Sequence, residues 1–405
     1  MEDPGAEDQG REVSDMTARE AVPARQGAPA TQVGRAASHP GTAWVVLAAG
    51  MGTRMRSSHP KVLHRLCGRP MGAFFLEEAR RWQPGQVVVV TGHQAARVEQ
   101  ELGAWAQRLG VAISFVRQEP QRGTGDAVRW AMTALAPGVD EVAVSYADVP
   151  LLSAGTMVEL VAQRRRHDAA LAILTAVLDD PTGYGRVLRA PDEPDRVTGV
   201  VEERDASPEQ RAIREANVGV YAFRRDALEA ALKALRPDNA QGEYYLTDTV
   251  GWLASRGERV VAVPVADPLE VTGVNDRRQL RELERAVCQR VAERLLASGV
   301  TLRGGVAPLL DPWVEVGPDS VIDATASLLG TTRVGRGCEI GPGAVLVDCE
   351  LGDDVSVEGV RLVACKVGSG ATIGPGAWIP PGSVIAAGAR IGSGAHRWAH
   401  ERGGL

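Results

Sequence analysis

One stretch decides the fold, and it reads Val45-Val46-Leu47-Ala48-Ala49-Gly50-Met51-Gly52-Thr53-Arg54-Met55, with Pro60-Lys61-Val62-Leu63-His64 a few residues further on. Its apolar start predicts a buried strand, and its two glycines let the backbone turn sharply and bring N–H groups close to an anion. Arg54 and Lys61 place two positive charges beside that turn. A strand end, a glycine turn and two cations together predict a cradle for a triphosphate.

Lysine is rare in this chain, which gives Lys61 weight. Only three of the 45 lysines and arginines are lysines, namely Lys61, Lys233 and Lys366. Arginine therefore serves wherever general positive charge suffices, and a lysine at the turn indicates a need for its compact ammonium, which a planar guanidinium cannot copy. The alternative, a tight turn with Arg54 in solvent and Lys61 incidental, stays open on this stretch alone.

The composition points to a globular protein of two domains. The chain has 405 residues, of which 44% are hydrophobic and 24% are charged, enough for two separate cores. Its formal net charge of −6 argues against a nucleic-acid partner, and no apolar run reaches membrane-spanning length, so no membrane partner is expected. The five cysteines are odd in number and lack C-x-x-C spacing, which favours reduced thiols in a cytoplasmic protein.

Residues 1–42 have a different texture from the rest of the chain. Acidic residues are mixed there with proline, glycine, alanine and arginine, and no apolar segment could serve as a secretory signal. The composition predicts a disordered tail, or a start codon placed too early. The first folded domain is therefore expected to begin at residue 43.

From residue 43 onward, strand-like and helical patterns alternate. Apolar runs at 43–48, 87–91, 111–116, 141–147 and 169–178 are interleaved with helical stretches near 94–109, 124–136 and 154–166. This alternation predicts an α/β fold with a mostly parallel sheet covered by helices on both faces. Ligands of such sheets lie beyond the carboxyl ends of the strands, so the glycine turn and Asp148 are expected to face one pocket.

A six-residue repeat replaces this pattern beyond residue 312. The repeating aliphatic positions are Val316, Ile322, Leu328, Val334, Ile340 and Leu346, and after an irregular patch Val367, Ile373, Ile379, Ile385 and Ile391. A period of six predicts hexapeptide β-helix repeats, with roughly five coils over 313–396. Residues 276–312 are then a connecting helix and linker, and residues 397–405 are a tail.

Polar residues at the predicted strand ends are candidates for binding, and each has a plainer alternative. Asp148 could hold Mg²⁺, which usually takes one or two protein oxygens plus substrate phosphates, or it could cap the helix beginning near Ala154. Asn275 has the same ambiguity, since asparagine is a good N-cap for the helix after it. Gln118 and Thr124 lie between a strand and a helix, where Gln118 could read a base edge and Thr124 could be an N-cap.

The seven histidines form no recognisable nucleophile or metal motif. This pattern suits phosphoryl transfer, because a phosphate monoester is already an anionic nucleophile and needs no general base. Catalysis then depends on positioning and on charge neutralisation.

Eight segments carry a family resemblance. In chain order they are LAAGMGTRM with PKVLH, QEPQRGTGDA, YADVPL, GYGR, VTGVVEERDA, EANVGVY, NAQGEYYLTD and GVNDR. Residues 44 to about 290 resemble the uridylyltransferase half of the bacterial bifunctional N-acetylglucosamine-1-phosphate uridylyltransferase/glucosamine-1-phosphate acetyltransferase family. The hexads resemble the opening coils of that family's left-handed β-helix.

The resemblance implies a fold and a reaction. The fold is a Rossmann-like, mostly parallel sheet in a nucleotidyltransferase domain over 43–275, followed by a short left-handed β-helix over 313–396. The reaction is the Mg²⁺-dependent conversion of UTP and N-acetylglucosamine 1-phosphate to UDP-N-acetylglucosamine and pyrophosphate, in the synthesis of cell-wall precursors. The β-helix implies a homotrimer.

The resemblance also implies roles for particular residues. The catalytic pair that holds the triphosphate is Arg54 and Lys61. The other implied groups are the nucleotide-binding residues Leu47, Ala48, Ala49, Gly50, Gln118, Gly123 and Thr124, the sugar-binding residues Gly185, Glu202 and Asn217, and the Mg²⁺ ligands Asp148 and Asn275.

The chain departs from the family pattern at identifiable places. Ala147 stands where the family usually has glycine, and its methyl group is expected near the phosphates. Val218 replaces a small polar residue beside Asn217, and Asp126 replaces a histidine. The segments that carry the family's acetyl-transfer residues do not occur, so no acetyltransferase activity is expected.

Two alternative functions remain at this point. One is the same chemistry on another hexose 1-phosphate, with UTP or dTTP as the nucleotide. The other is a non-catalytic regulatory paralogue that keeps the fold, although such a protein has no physical reason to retain Arg54, Lys61, Asp148 and Asn275 together.

Overall fold

The computed structural model describes residues 39–395. Its first strand begins at His39, whose N–H donates to the carbonyl of Gln83. The tail predicted for residues 1–42 is therefore too long at its carboxyl end, because backbone pairing with the neighbouring strand extends the sheet beyond the apolar run. The remainder of that tail and the tail predicted for 397–405 lie outside the described residues.

A nine-stranded sheet forms the first half of the described chain. The strands up to residue 264, including a separate two-stranded hairpin of β2 and β3, are β1 (His39–Ala48), β2 (Arg65–Leu66), β3 (Arg69–Pro70), β4 (Pro84–Thr91), β5 (Ser114–Arg117), β6 (Glu141–Tyr146), β7 (Leu171–Val177), β8 (Gly185–Ala190), β9 (Glu193–Val201), β10 (Glu215–Arg224) and β11 (Val260–Pro264). The main path runs β11-β7-β10-β6-β1-β4-β5, with β8 and β9 branching from β10. The pairs of β1 with β4 and β6 are parallel, as predicted, whereas β10 is antiparallel to both of its neighbours in the main path.

Helices cover both faces of this sheet. The α-helices are α1 (Phe74–Trp82), α2 (Ala95–Leu109), α3 (Thr124–Met132), α4 (Ala154–Arg166), α5 (Pro208–Arg211), α6 (Arg225–Ala234), α7 (Asp248–Ser255) and α8 (Arg277–Ala297), and the short 3₁₀ helices are Thr53–Met55, Lys61–Leu63, Met71–Ala73 and Pro268–Val271. Val45 packs with α3, α6 and α7, while Trp44 and Val46 pack with α1, α2 and α4. Both faces of β1 are buried, which explains its continuous apolar sequence. None of the helices within 39–395 is long and apolar enough to cross a membrane.

The second half is the expected left-handed β-helix, built from three stacks of short parallel strands. Its strands are β12 (Thr301–Arg303), β13 (Leu309–Leu310), β14 (Glu315–Val316), β15 (Val321–Asp323), β16 (Ser327–Leu329), β17 (Arg333–Val334), β18 (Glu339–Ile340), β19 (Val345–Val347), β20 (Glu350–Leu351), β21 (Ser356–Val357), β22 (Arg361–Val363), β23 (Lys366–Val367), β24 (Thr372–Ile373), β25 (Val384–Ile385) and β26 (Arg390–Ile391). The hexad aliphatics lie in register: Ile322 pairs with Ile340, and Ile373 with Ile391.

The coils begin earlier than the hexads indicate. Thr301–Arg303 already pairs with Val321–Asp323, inside the segment predicted to be a linker. The six-residue period does not reveal the first coil. Its buried Leu310 is followed by Val316 at the usual interval, but a longer, irregular loop precedes Leu310 and interrupts the period. The irregular patch after Leu346 is likewise structured, since Leu351 and Leu362 continue the stacks at shortened corners.

One apolar cluster joins the two halves. It includes Leu66 of the β2–β3 hairpin, Phe74 of α1, Val287 of α8 and Leu310 of the first coil. Beside it, the buried Arg69 guanidinium donates to Asp311, with 2.9 Å between Nη2 and Oδ2. The sheet domain and the coils are therefore held together by a core and by a buried ion pair.

Candidate active site

The glycine turn after β1 presents free backbone donors. No residue between 39 and 395 accepts a hydrogen bond from the N–H groups of Gly50, Met51 or Gly52. Gly52 has φ +60, and a Cβ built there would lie 2.5 Å from the Cβ of Lys61, so the turn packs directly against that lysine. A Cβ at Gly50 would meet nothing within 4 Å. The turn therefore leaves backbone donors unpaired within residues 39–395 and open space beside Gly50, and its binding of an anion stays a prediction.

Four predicted residues converge beside this turn. The Lys61 ammonium contacts Oδ2 of Asp148 and donates to Oδ1 of Asn275 at 2.9 Å. Arg54 donates to the same Asn275 oxygen from Nη2 at 2.8 Å. The backbone fixes the arrangement, since the N–H of Val274 donates to the carbonyl of Asp148 at 2.9 Å. Residues widely separated in sequence thus form one cluster of two cations and two oxygen ligands at the carboxyl ends of β1 and β6.

Other residues perform the capping that was the plainer alternative for these positions. Ser153 caps α4, where its hydroxyl accepts from the N–H of Thr156. Asp276 caps α8 by accepting from Gln279. At the start of α3 no side chain caps the helix, and the Thr124 hydroxyl instead accepts from the N–H of Leu246.

The loop before α3 holds the predicted base-reading residues. Gln118 is buried, and its Nε2 donates to the carbonyl of Gly123 at 3.0 Å. Gly123 has φ +106, and a Cβ there would lie 2.6 Å from the carbonyl oxygen of Tyr244, so only glycine fits without rearrangement. Gln121 reaches across to the first segment, where its Nε2 donates to the carbonyl of Ala49 at 2.6 Å. The glycine turn and this loop therefore form two adjoining walls.

The predicted sugar-binding residues lie together where β8 pairs with β9 and β10. Gly185 of β8 pairs with Asn217 of β10, and a Cβ at Gly185 would lie 2.9 Å from Cγ1 of Val200. Asn217 donates from Nδ2 to the Tyr221 hydroxyl at 2.7 Å. Its Oδ1 is buried and accepts no hydrogen bond from the described residues 39–395. An acceptor that is buried and unpaired is available to a ligand donor.

Glu202 follows β9 at the same place. Burial raises the pKa of Glu202, and the hydroxyl of Thr247, which donates to Oε1 at 3.0 Å, opposes that shift. Sequence reasoning assigned no role to Thr247, nor to Tyr245, whose buried hydroxyl has no partner within 39–395. The pKa of the neighbouring Asp248 is raised to about 6, first by burial and then by the charges of Glu202 and Asp205. The only signal for these residues was their place in the segment NAQGEYYLTD.

Three of the side chains singled out in the sequence are buried in the apolar core of the sheet domain. Ala147 is 2% exposed and packs in the same apolar cluster as Val218, and the nearness of its methyl group to the phosphates stays a prediction. Val218 likewise fills the core rather than the space beside the Asn217 amide. Leu47 is buried against the other face, which leaves only its backbone to contact a nucleotide.

The fold and this cluster define a nucleotidyltransferase, and the family model described as a MobA-like NTP transferase domain matches residues 44–300. The chain belongs to that family. Its relatives include "Bifunctional protein GlmU" of Mycobacterium sp. (strain KMS), 45% identical over 333 residues, which are 82% of this chain and 66% of the relative. The protein of the same name from Kineococcus radiotolerans is 44% identical over 330 residues, 81% of this chain and 66% of the relative. These matches confirm the family resemblance given by the motifs.

The chain spans about two thirds of the length of the curated relatives it matches. Among solved structures, a UDP-glucose pyrophosphorylase complexed with UDP-glucose is 19% identical and has a TM-score of 0.48. That similarity covers 62% of this chain and 99% of the other.

Proposed function

We propose that this protein transfers a uridylyl group from UTP to N-acetylglucosamine 1-phosphate, with Mg²⁺ as cofactor, and releases pyrophosphate. The observation that carries the proposal is the convergence of Lys61, Arg54, Asp148 and Asn275 at the glycine turn. A sugar phosphate oxygen attacks the α-phosphorus of UTP as the bond to pyrophosphate breaks. This step needs no general base, because the attacking oxygen is already charged.

The donor set at this site suits Mg²⁺. The Asp148 and Asn275 oxygens already converge on one cation, the Lys61 ammonium. Within residues 39–395 no three His, Cys, Asp or Glu side chains are grouped to hold a metal ion, so phosphate oxygens and water would complete the coordination, as is usual for Mg²⁺. When bound, the ion neutralises charge on the phosphates. We expect Lys61 to direct its charge to the triphosphate.

The other residues of the site bind and orient the substrates. The free N–H groups of the glycine turn and the Arg54 guanidinium cradle phosphate oxygens. On β10, the unpaired Asn217 Oδ1 accepts from a sugar hydroxyl or amide. Glu202, which follows β9, accepts from a second hydroxyl. Positioning of this kind supplies most of the rate enhancement when the nucleophile is already activated.

A matrix of nucleoside triphosphates against sugar 1-phosphates, with pyrophosphate release as the signal, tests the proposal. UTP with N-acetylglucosamine 1-phosphate is expected to give the fastest turnover, which stops with chelator and returns with added Mg²⁺ because the phosphate charge must be neutralised. Faster turnover of another hexose 1-phosphate or of dTTP would favour the first alternative. No turnover with any pair would favour a regulatory paralogue, and full turnover in excess chelator would refute the Mg²⁺ role.

We also propose that the coils serve assembly rather than acetyl transfer. Residues 313–395 contain no histidine that could act as an acid or base at a thioester. Incubation with acetyl-CoA and glucosamine 1-phosphate is expected to release no thiol above background. Release of thiol by the purified chain would contradict this assignment.

A further inference from the structure

The side-chain amide of Gln118 is held in one orientation by two acceptors. Its Nε2 donates to the carbonyl of Gly123 at 3.0 Å and to Oδ2 of Asp126 at 3.0 Å. A carbonyl and a carboxylate can only accept hydrogen bonds. If the amide were flipped, its oxygen would face both of these oxygens. The observed contacts therefore fix which end of the amide is available to a ligand.

Asp126 is placed to impose this orientation. It lies on the first turn of α3 and is 1% exposed, so its carboxylate is shielded from water. Its second oxygen accepts from Nη2 of Arg122 at 3.0 Å, and the Arg122 side chain is about half exposed. Each carboxylate oxygen thus has a separate partner. One partner is the buried amide and the other is a surface guanidinium.

The side-chain carbonyl of Gln118 is the end of the amide that remains without a hydrogen bond in the described part of the chain. Oε1 accepts no hydrogen bond from residues 39–395, and Gln118 lines a cavity of about 630 Å³ together with Gly92 and Gln121. The site therefore presents an acceptor and no donor at this point. Uracil and thymine carry a donor at N3, whereas cytosine carries an acceptor there, so an Oε1 that meets N3 of a pyrimidine matches uracil and thymine but not cytosine.

We propose that Asp126 is a positioning residue that fixes the Gln118 carbonyl toward the base and thereby selects UTP over CTP. The proposal rests on the nucleotide role of Gln118 in the proposed function. An unmatched buried acceptor in the wrong complex corresponds to about tenfold to hundredfold in affinity. Asp126 supplies that selectivity indirectly, because without its carboxylate the Gln118 amide can turn over.

The experiment compares UTP with CTP on four proteins. Dissociation constants are measured by calorimetry and kcat/KM by pyrophosphate release, for wild type, Asp126→Leu, Asp126→Asn and Arg122→Gln. Asp126→Leu removes the acceptor while keeping a similar shape, and the UTP/CTP ratio is expected to fall at least about tenfold. Asp126→Asn keeps an acceptor oxygen and is expected to retain the ratio. Arg122→Gln is the matched control that removes only the surface partner.

A double substitution separates positioning from general damage. In a Gln118→Ala background, Asp126→Leu is expected to change the UTP/CTP ratio no further, since the amide through which it acts is gone. A further fall in that background would overturn the proposal, as would an unchanged ratio in Asp126→Leu alone. If Asp126→Leu does not fold, Asp126→Ala is tested in its place, because alanine is well tolerated in a helix.

The outcomes also distinguish this proposal from the proposed function. Wild type that binds UTP over CTP but turns over no sugar phosphate would refute the function and leave the binding ratios to decide the role of Asp126. Wild type that binds neither nucleotide would overturn both. Wild type that is active and binds UTP and CTP equally would overturn the Asp126 proposal alone.

Discussion

At position 61 a lysine is favoured over an arginine for a geometric reason. The Lys61 stem lies against the backbone of Gly52. A Cβ added at Gly52 would lie 2.5 Å from the Cβ of Lys61. Its ammonium then fits between Asp148 and Asn275. A guanidinium is wider and planar, so it spreads its charge over several nitrogens instead of placing it at one point. The rarity of lysine elsewhere in the chain agrees with this local requirement.

Lys61→Arg tests that requirement directly. Loss of one preorganised charge in a transition state costs about 3 kcal/mol, on the order of a hundredfold in kcat, and Lys61→Ala is expected to lose at least as much. Steady-state pyrophosphate release gives the rates. Lys366→Arg is the control, since Lys366 is a surface residue with a side chain 65% exposed.

The result would also distinguish a catalytic role from a structural one. Both Lys61 variants are expected to stay folded by thermal melting, because Asp148 remains in contact with solvent when its partner is removed. Turnover of Lys61→Arg at the wild-type rate would show that generic charge suffices. Unfolding of both variants would make Lys61 a structural residue.

At the scale of elements, we expect the contact between the β2–β3 hairpin and the first coil to depend on pH. Asp311 lies in that coil with no exposed surface, and Arg69 of the hairpin donates to it. Burial raises the pKa of Asp311 to about 6, despite the opposing charge of Arg69. The stabilising contribution of the protonated carboxyl is therefore complete at low pH and is lost as the pH rises through about 6.

Asp311→Asn removes this titration. Relative to wild type, the variant is expected to gain stability between pH 4.5 and pH 7.5, by on the order of 2 kcal/mol, because most of the shift of about two pKa units is titrated within that range. The difference in melting temperature at the two pH values measures it. Asp319→Asn, at an exposed position of the same coils, is expected to show no such change. If the difference in melting temperature between Asp311→Asn and wild type were the same at both pH values, the raised pKa of Asp311 would be contradicted.

Sequence patterns predicted the strands and coils correctly where the buried residues follow a regular pattern, and less well where they do not. The apolar run of β1 and the hexads from Val316 reflect positions that the core fills on every repeat, so their elements were predicted correctly. The coil at Thr301 was missed because its irregular loop hides the period. Asp148 and Asn275 were ambiguous in sequence, since aspartate and asparagine also cap helices; in the structure Ser153 and Asp276 cap those helices, and the metal role stays a prediction. The departures at Ala147 and Val218 could not be interpreted without knowing which sheet face they occupy.

At the scale of the whole molecule, we propose that the coils provide the surface of the homotrimer that the family resemblance implies. Each coil stacks its strands in register on those of the next, in three stacks of parallel strands. We expect the purified chain to have three times its own mass in light scattering. A mass that corresponds to a single chain at micromolar concentration would contradict the trimer.

The apolar cluster that runs from the hairpin through α8 into the coils makes the polypeptide poorly divisible. A gene fusion or recombination event with its joint inside residues 276–312 would separate Val287 from Leu310, and so would expose two halves of one core to water. Exchange of parts between related genes is therefore constrained to carry α8, the first coils and the hairpin as one inherited block. The unit on which natural recombination can act is larger than either of the two domains that the sequence pattern distinguishes.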